Sequence, residues 1–536
     1  MKHKLQKQKL SVWEKRAYGA GDMGSNLFWG LIPFTAIFYT DYFGISAIAT
    51  GAMILLARIP AAFLAIPIGI FADRTKTKYG HFRPWILYGA LPLALFAFLA
   101  HLTPGFTDTE KLVYAYTTYF LFLLMYLVVN VPYEAFLGVI SADPNERTNL
   151  SAYKMIFAQL GLLLVGVFVL PAAEQSSFSN GVLYAAILGF ILLIVCFFFT
   201  RERVKPVKEE NNKLSEDLRD LIKNKPCIML FIAGFMLTCF YMIHDLMIPY
   251  YAKYYVVNQL EISGQVFGFD VSWQRFTIVL IVIDALITIA AIMIVKTWLV
   301  SRFEKKNIWI ACFVFASIFS ALFYFIPGDN LSMVMLFQAL FTLSIGSAGF
   351  LMFSMYADVV DNSEVNTERR ATGLIYSSAT MSHNLGAAFA LGIPLLLLGV
   401  AGYEANQNMD EDMQQQLRLI FALLPILFAI IAIIALKFYN LDDDTIKKNA
   451  ETLSEVKETN TNAASAIREK MNEQGVTIEQ LAQQVNCDRS KLNKLLRNGN
   501  FDPVLLLKIS MALETDFFAY YSDGLRHIAE KQDDTI

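Results

Sequence analysis

Twelve long apolar segments occupy most of the first 440 residues, and they constrain the fold more than any other feature of the sequence. A helix that crosses the hydrocarbon core of a bilayer needs about 20 mostly apolar residues. We therefore predict an all-α polytopic membrane protein with twelve transmembrane helices. The predicted spans lie near residues 22–43, 47–72, 85–102, 112–140, 153–172, 181–200, 227–250, 274–296, 308–326, 331–356, 372–400 and 416–438.

The composition and the absence of familiar catalytic motifs argue against an enzyme. Of the 536 residues, 56% are hydrophobic and only 17% are charged, which excludes a disordered chain and disfavours a soluble enzyme. No P-loop, zinc-protease or nucleophile-elbow motif occurs. The five cysteines have no metal-binding spacing and lie mostly in apolar runs. We predict no cofactor, no metal site and no catalytic residue.

The distribution of Lys and Arg predicts the orientation of the chain. Positive charge concentrates in the N-terminal segment and in the even-numbered connections, above all in residues 201–226, whereas the odd-numbered connections are nearly devoid of it. Cytoplasmic loops carry this excess in membrane proteins. We therefore expect a multi-pass protein of the cytoplasmic membrane, with both termini in the cytoplasm.

The basic connection divides the spans into two groups of six, a repetition that is typical of two-bundle transporters. A channel or a membrane enzyme stays open from this pattern alone. The predicted regions are an N-terminal six-helix bundle at 1–200, a cytoplasmic loop at 201–226, a C-terminal six-helix bundle at 227–440, a linker at 441–462 and a cytosolic helical domain at 463–536.

Several motifs are more specific than the hydropathy pattern. They are Tyr18-Gly19-Ala20-Gly21-Asp22, Asp73-Arg74-Thr75-Lys76, Asn130-Val131-Pro132-Tyr133-Glu134, Ala357-Asp358-Val359-Val360-Asp361 and Arg369-Arg370-Ala371-Thr372-Gly373. In this order they resemble the glycoside–pentoside–hexuronide:cation symporter family, the melibiose-permease branch of the major facilitator superfamily. The resemblance covers about residues 12–440. It implies a sugar or glycoside carrier that works by alternating access and is coupled to Na⁺, H⁺ or Li⁺.

The sequence departs from this family at its cation site. The two span-two carboxylates of the family correspond to Ala61 and Ala65, and the span-eleven lysine of melibiose permease corresponds to about Asn384. A hard cation requires several oxygen ligands, which alanine cannot provide. We therefore expect H⁺ as the coupling ion, with uncoupled facilitated transport as the alternative.

Polar residues inside the spans are the candidate substrate ligands, because ionisable groups at bilayer depth are costly and usually functional. Asp22 and Asn26 share a helical face and resemble sugar-hydroxyl ligands, although Asp22 is also consistent with a helix-start residue. Trp29 and Tyr133 are candidates for an aromatic face that stacks on a sugar ring. The full predicted substrate-binding set is Asp22, Asn26, Trp29, Asn130, Tyr133, Glu134, Lys154, Tyr376, Thr380, His383 and Asn384.

Three carboxylates remain as candidates for proton coupling. Glu134 either binds substrate and protons or forms a structural ion pair with Lys154, and both interpretations are compatible. Asp245 is adjacent to His244 in span seven, so the two cannot share a helical face. Asp284 lies alone in the middle of span eight. For each carboxylate, a purely structural role is the alternative.

At the cytoplasmic side, six charged residues resemble the family's gate and the superfamily loop that joins neighbouring spans. A solvated loop is the alternative interpretation of the Asp73–Arg74 pair. The predicted gate residues are Asp73, Arg74, Arg147, Asp358, Asp361 and Arg370.

The final hundred residues differ from the rest of the chain in composition. Residues 441–462 are polar, typical of a linker or an exposed helix, and 464–528 show helical periodicity. Thr477 and Gln480 predict an approximate capping box. Residues 477–496 resemble a Cro/repressor-type helix-turn-helix, with Ala482 at the small position and Val485, Leu492, Leu495 and Leu496 in the core; an unrelated small bundle is the alternative.

The predicted second helix of this motif carries side chains that suit phosphates and base edges. Yet residues 463–536 contain 9 Lys and Arg against 11 Asp and Glu, so this is not a basic domain. The region is expected to contact DNA or a cytosolic protein, to dimerise the carrier or to gate it. The predicted contact residues are Arg489, Ser490, Lys491, Asn493, Lys494 and Arg497.

Taken together, these features predict a secondary active transporter that moves a sugar, glycoside or uronide across the cytoplasmic membrane, with the lipid bilayer and a small-molecule sugar as its partners. A transporter-like sensor that signals through the tail is the alternative from another functional class.

Overall fold

The computed structural model describes residues 10–141, 144–175, 177–203, 222–257, 265–266, 269–270, 272–367, 372–407, 409–498 and 501–520. In these residues the fold is helical apart from a two-stranded antiparallel hairpin, Gln265–Val266 with Phe269–Asp270. In chain order the α-helices are α1 Val12–Trp29, α2 Leu31–Ile37, α3 Ala47–Arg74, α4 Arg83–Leu99, α5 Asp108–Ile140, α6 Pro144–Gln175, α7 Phe178–Phe199, α8 Lys225–Tyr251, α9 Trp273–Ile294, α10 Lys305–Phe323, α11 Leu331–Ile345, α12 Ala348–Thr367, α13 Thr372–Val400, α14 Glu411–Ala422, α15 Leu424–Lys437, α16 Asp443–Glu473, α17 Ile478–Gln484, α18 Arg489–Asn498 and α19 Pro503–Ala512.

Local sequence explains where many of these helices begin. The side chain of an N-cap residue accepts a hydrogen bond from a backbone N–H of the first turn, which satisfies a donor that has no partner within the helix. Such caps precede α1, α3, α7, α8, α9, α11, α14, α16 and α17. Helix α5 begins with a capping box between Thr107 and Glu110.

Ten helices in the described residues are long and apolar enough to cross a membrane. The other two predicted spans fall short for local reasons. The first is divided into α1, α2 and a π-helical turn, Phe38–Tyr42, with a break at Gly30. The third is α4, which is apolar but only 17 residues long. Ten membrane-spanning helices are therefore supported by length and composition, while the total of twelve stays a prediction.

Proline does not interrupt the long helices. Pro60 and Pro67 lie within α3, Pro132 lies within α5, and Pro394 lies within α13. Large apolar side chains such as Leu56 and Phe198 are exposed on the helices. Exposed apolar faces of this kind suit contact with lipid, where a spanning helix satisfies its own backbone hydrogen bonds.

Within the first half, α1 packs on α6 and α7, while α5 packs on α3 and α4. Within the second half, α15 packs on α8 and α10, while α11 packs on α9 and α10. The halves meet where α6 packs on α9 and where α2 packs on α8. Side chains from both halves can therefore come together where these helices meet.

The chain divides into two compact units: Met1–Tyr356 with Gly373–Asn440, and Ala357–Thr372 with Leu441–Ile536. In the second unit, Asp443–Glu473 is one continuous helix that includes most of the predicted linker. Asn449 Nδ2 donates a hydrogen bond of 3.0 Å to Asn362 Oδ1, which joins this helix to residues at the end of α12. Residues 441–462 were predicted to be a linker or an exposed helix, and the structure favours the helix.

Candidate functional site

Asp22 and Asn26 lie together on α1, as their spacing predicts. Asn26 Nδ2 donates to the backbone oxygen of Asp22 at 2.9 Å and to Asp22 Oδ2 at 3.2 Å. The helix begins at Val12, ten residues earlier, so Asp22 lies roughly 15 Å along the helix axis from its start. Asp22 is only 3% exposed. The helix-start interpretation of Asp22 is therefore disfavoured.

An ion pair lies close to these two residues. Lys154 Nζ of α6 donates to Glu134 Oε2 of α5, which is one of the two arrangements considered for Glu134. The Glu134 side chain is 47% exposed, so this pair is accessible from one side. Asp22 interacts electrostatically with both partners. Spans one, four and five therefore bring two carboxylates and one ammonium group together.

A second cluster joins the two halves at an aromatic contact. Trp29 at the end of α1 stacks on His383 of α13, with 5.6 Å between the ring centroids and 27° between the ring planes. Tyr126 lies 5.8 Å from Trp29, and the Arg58 guanidinium lies 5.7 Å from the Trp29 ring. Two residues predicted independently from the two halves are therefore neighbours.

Tyr133 corrects the sequence prediction of an accessible aromatic face. Its side chain is fully buried, and its ring stacks on Tyr18 at 5.0 Å with an interplanar angle of 16°. Its hydroxyl donates to the Tyr18 backbone oxygen at 2.7 Å. Since both the ring and the hydroxyl are used in packing α5 against α1, Tyr133 positions Glu134 rather than presenting a face to a ligand.

The predicted polar stripe on α13 is only partly a single surface. His383 is half-buried, and its Nδ1 lies 3.2 Å from Thr238 Oγ1. Thr380 is exposed and its hydroxyl donates to the Tyr376 backbone oxygen at 3.2 Å, which is an ordinary intrahelical bond. Tyr376, Asn384 and Asn130 are half-buried. His383 is thus the member of the stripe that the structure joins to the Trp29 cluster.

Asp284 is the end of a hydrogen-bonded chain within the second half. Gln338 Nε2 donates to both Asp284 oxygens, at 2.9 and 3.0 Å, and Thr342 also donates to Asp284. Gln338 Oε1 lies 2.9 Å from His244 Nε2, so His244 orients the amide. Asp245 interacts electrostatically with Asp284. The structure therefore groups two of the three proton-coupling candidates.

A cluster around Asp41 was missed by the sequence reasoning, although its Phe38-Tyr39-Thr40-Asp41 segment is part of the first predicted span. The Asp41 side chain is 0% exposed and accepts from Lys253 Nζ at 2.6 Å, from Tyr403 Oη at 2.5 Å and from Tyr254. Burial beside Tyr250 and Asp41 raises the pKa of Tyr403, which keeps this hydroxyl a donor.

Two π-helical turns form this cluster, Phe38–Tyr42 after α2 and Ala252–Val256 after α8. π-Helical turns often occur at functional sites. Here they end the first spans of the two halves and bring them together, and Thr40 Oγ1 also lies 2.9 Å from Tyr250 Oη. The end of the bundle opposite the basic connections is therefore closed by polar contacts between the halves.

Charged contacts also organise the end that carries the basic connections. Glu14 accepts from Arg203 Nη1 and Nη2 at 2.6 and 2.8 Å, and Lys15 lies 2.8 Å from Glu146. Glu202 accepts from the backbone N–H groups of residues 81, 82 and 83 at 2.7, 2.7 and 3.0 Å. The sequence reasoning did not single out these acidic residues, because their partners are distant in the chain.

The predicted gate residues are described only in part. Arg74 is exposed, and Asp358 and Asp361 are half-buried on α12. The side chains of Asp73 and Arg147, and residue Arg370, lie outside the described part of the chain. The gate therefore stays a prediction.

The tail has the local features that its sequence predicts. The capping box of α17 is confirmed: Thr477 N donates to Gln480 Oε1 at 2.8 Å and Gln480 N to Thr477 Oγ1 at 3.3 Å. Asn486 adopts φ 53° in the turn before α18, a conformation that asparagine tolerates well. The buried residues include Ala482, Val485, Leu492 and Leu496, and Leu495 packs partly against them.

The predicted contact residues of the tail are less fully described. Arg489 Nη2 lies 2.5 Å from Glu479 Oε1, so this positive charge already has an acidic neighbour on the protein. Asn493 is half-buried. The side chains of Ser490, Lys491, Lys494 and Arg497 lie outside the described residues.

Two halves that meet around buried polar side chains are typical of transporters with two bundles. Solved structures share this fold: a mutant of the nucleoside transporter NupG matches with a TM-score of 0.61 and 16% identity, over 79% of this chain and 99% of that one. A transporter of the POT family matches with a TM-score of 0.55 and 13% identity, over 80% and 96%. At these identities the likeness concerns the fold alone.

The family follows from sequence. The family described as MFS/sugar transport protein matches residues 17–443, and this chain belongs to it. The inner membrane symporter YicJ of Escherichia coli is 30% identical over 84% of this chain and 97% of its own length. A glucuronide carrier protein homolog of the same organism is 29% identical, over 82% and 95%. The isoprimeverose transporter of Lactiplantibacillus pentosus is 26% identical, over 80% and 89%. The chain is therefore a sugar-transport family membrane protein and not an enzyme.

Proposed function

We propose that this protein carries a sugar, glycoside or uronide across the cytoplasmic membrane by alternating access, with both termini in the cytoplasm. The observation that carries the proposal is the contact between Trp29 and His383, which brings a side chain from each half to one cluster. Asp22 and Asn26 continue this cluster along the same helix. The names of similar proteins, a glucuronide carrier homolog and an isoprimeverose transporter, favour the same substrate class.

The Asp41 cluster supports the alternating-access part of the proposal. It is a set of hydrogen bonds and one ion pair between the first span of the first half and residues of the second half, which are Tyr250, Lys253 and Tyr403. Polar contacts between bundles can form in one state of a carrier and separate in another, whereas an apolar core changes less readily. A substrate shifts such an equilibrium only through its different affinity for the two states. The cluster of Trp29, His383, Asp22 and Asn26 would supply this difference in affinity.

Proton coupling is proposed through Asp284 and Asp245, with Glu134 as the third candidate. Two carboxylates that interact at bilayer depth can share and exchange a proton. Asp284 is hydrogen-bonded to Gln338 and Thr342, and no described Lys or Arg forms an ion pair with it. Glu134, in contrast, is paired with Lys154. The arrangement favours Asp284 as the proton carrier and Glu134 as a substrate ligand.

The tail is proposed to be a small cytosolic helical domain of the helix-turn-helix type that contacts DNA or a protein. The capped helix α17, the turn at Asn486 and helix α18 support this fold. The pairing of Arg489 with Glu479 leaves less positive charge for DNA, which favours a protein partner.

Sugar-driven ion movement in proteoliposomes tests the transport proposal. A panel of glycosides is added to vesicles that contain the purified protein, with a pH-sensitive dye in the outside medium and with Na⁺ present or absent. Alkalinisation outside the vesicles, lost in Asp284→Asn but retained in the control Asp329→Asn, which lies in the connection between α10 and α11, would support proton symport. Sugar equilibration without an ion signal would replace symport by facilitated transport. Sugar binding without any uptake would favour a sensor.

A further inference from the structure

Thr238 of α8 lies against His383 of α13, at a point where these two helices approach closely. A Cβ atom on Gly386, about one turn after His383, would lie 2.7 Å from Thr238 Cβ and 2.7 Å from the Phe235 backbone oxygen. The glycine therefore permits this close approach of the two helices. Thr238 is 1% exposed, and its Oγ1 lies 3.2 Å from His383 Nδ1. Close packing of the helices thus holds these two polar groups together.

The direction of this hydrogen bond follows from the single hydrogen of the Thr238 hydroxyl group. Thr238 Oγ1 donates that hydrogen to the Gly234 backbone oxygen at 3.0 Å, as threonine often does within a helix. A hydroxyl group has one hydrogen to donate and two lone pairs that accept. Thr238 can therefore only accept at His383 Nδ1, so Nδ1 carries the hydrogen.

The surroundings of His383 favour its neutral form. Its ring is stacked with those of Trp29 and Tyr241, at 5.6 and 6.5 Å between centroids, and a charged imidazole loses hydration in such a place. The Arg58 guanidinium, 5.7 Å from the same Trp29 ring, also interacts electrostatically with His383 and would repel a second positive charge. A neutral imidazole has one N–H group, and its other nitrogen is an acceptor.

This acceptor is available to a ligand. The hydrogen bonds of His383 to described residues both involve Nδ1, which lies 3.2 Å from Thr238 Oγ1 and 3.5 Å from Tyr241 Oη. Nε2, on the other side of the ring, therefore has a free lone pair next to the Trp29 contact. A sugar that lies on Trp29 would bring its hydroxyl groups to this nitrogen.

We propose that Thr238 is a positioning residue that fixes the hydrogen of His383 on Nδ1, so that Nε2 accepts a hydrogen bond from a ligand hydroxyl group. This inference rests on the proposed function, because it specifies what the sugar must present to the cluster around Trp29. The sugar needs a free hydroxyl group at the position that faces His383. A fluorine atom or a methoxy group at that position is rejected, because neither can donate a hydrogen bond.

The first measurement locates the ring hydrogen and needs no ligand. The full-length protein, with the nitrogen atoms of its histidine rings isotope-labelled, is studied in lipid nanodiscs by nitrogen NMR spectroscopy. His383→Gln assigns the signals of His383. The chemical shifts of the two ring nitrogens show which of them carries the hydrogen, and we expect it on Nδ1. A hydrogen on Nε2, or on both nitrogens, would overturn the proposal.

Two substitutions of Thr238 separate hydrogen bonding from packing. Thr238→Val keeps the volume but lacks the hydroxyl group, so Tyr241 Oη can donate to Nδ1 and the ring hydrogen should move to Nε2. Thr238→Ser is smaller but retains the hydroxyl group, and the ring hydrogen should stay on Nδ1. A hydrogen that stays on Nδ1 in Thr238→Val, or leaves it in Thr238→Ser, would assign Thr238 to packing.

Thr277→Val is the matched control for the loss of a buried hydroxyl group. Thr277 of α9 is also 1% exposed, and its hydroxyl group donates to the Trp273 backbone oxygen at 2.8 Å, within its own helix. This substitution should leave the ring hydrogen of His383 on Nδ1. A shift of that hydrogen in Thr277→Val would show that the ring responds to any such loss and would overturn the role of Thr238.

The second measurement tests the ligand. Methyl β-D-glucoside and methyl β-D-galactoside are compared with analogues in which fluorine replaces the hydroxyl group at C2, C3, C4 or C6, by titration calorimetry with the full-length protein in nanodiscs. We expect at least one analogue to bind about tenfold or more weakly than its parent. For the hydroxyl group that faces His383, this difference should fall to about threefold or less in Thr238→Val and persist in Thr238→Ser.

The outcomes distinguish this inference from its foundation. If the parent glycosides bind and are taken up but every fluorinated analogue binds as tightly, the acceptor role of His383 is wrong and the transport proposal stands. Differences that are the same in the wild type and in Thr238→Val would also overturn the inference alone. If neither parent glycoside binds, the proposed substrate class and this inference are both overturned.

Discussion

Lys253 Nζ lies 2.6 Å from Asp41 Oδ2, and this ion pair joins the π-helical turn that follows α2 to the one that follows α8. The Asp41 side chain is completely buried, and the Lys253 side chain is 19% exposed. Since removing one partner leaves the other charge buried and unpaired, such a pair is costly to break. Removing the charge of Asp41 alone should therefore weaken the contacts that close this end of the bundle.

Asp41→Asn should open this end of the bundle. The substitution keeps the shape of the side chain but removes the charge that Lys253 faces, and we expect a loss of about 2 kcal/mol from the closed conformation. Hydrogen exchange followed by mass spectrometry should then be about thirtyfold faster in residues 38–42 and 252–256.

A matched control for this variant is Glu404→Gln, which changes an exposed carboxylate in the connection that also contains Tyr403. Its exchange in residues 38–42 should equal that of the wild type. Unchanged protection in Asp41→Asn would contradict a role of the ion pair in closure.

Close glycine contacts between α3 and α13 provide a second way to test closure. A Cβ atom on Gly51 would lie 2.7 Å from the Gly392 backbone oxygen, and one on Gly392 would lie 2.4 Å from Leu55 Cγ. The helices must separate to accept either atom, at a cost of about 1–3 kcal/mol. Gly51→Ala should therefore slow glycoside uptake about fivefold to a hundredfold while leaving binding intact.

Gly138→Ala is the control, because a Cβ on Gly138 meets no atom within 4 Å. This change should leave uptake unaltered and raise stability slightly, since alanine is the better helix former. Normal uptake in Gly51→Ala would mean that these spans do not need to approach so closely during transport.

Glu202 should make a measurable contribution to thermal stability. Its carboxylate accepts three hydrogen bonds from the backbone at the start of α4, where a negative charge also interacts favourably with the helix dipole. Gly80, at φ 112°, permits this approach because a Cβ there would lie 2.4 Å from Glu202 Cδ. Glu202→Gln should cost about 2 kcal/mol and lower the melting temperature in detergent.

Glu304→Gln is a suitable comparison, since the Glu304 side chain accepts one bond, from Asn307. Equal melting temperatures for Glu202→Gln and Glu304→Gln would show that the three backbone contacts add no net stability.

Sequence periodicity predicted the helices well because burial and capping act locally. Long apolar runs, N-cap residues and turn residues are visible without knowledge of the fold, and the capping box at Thr477 is a direct case. The third predicted span was harder to judge, because α4 is apolar but shorter than a full crossing. Local sequence rules therefore predicted the helices but not the exact number of membrane spans.

The site was predicted less well because its chemistry depends on which spans meet. Trp29 and His383 were proposed separately, and only the fold brings them together. Tyr133 was expected to face a ligand, but it stacks on Tyr18. Asp41 gains its importance from Lys253, which lies 212 residues later in the chain. This contact is not visible from the sequence.

The tail should fold and unfold without changing transport. Its core consists of residues between Ala464 and Phe517, so it does not depend on the transmembrane segments for burial. Leu492 is fully buried in that core, and Leu492→Ala should destabilise the tail by about 2–5 kcal/mol. Limited proteolysis of the full-length protein should then cut within residues 443–512 at lower protease concentrations, while glycoside uptake in proteoliposomes is unchanged.

Leu507→Ala is the matched control, because Leu507 is 51% exposed and its truncation creates no cavity. If Leu492→Ala abolishes uptake whereas Leu507→Ala does not, a folded tail is required for transport, and the gating alternative becomes the better explanation of these final residues.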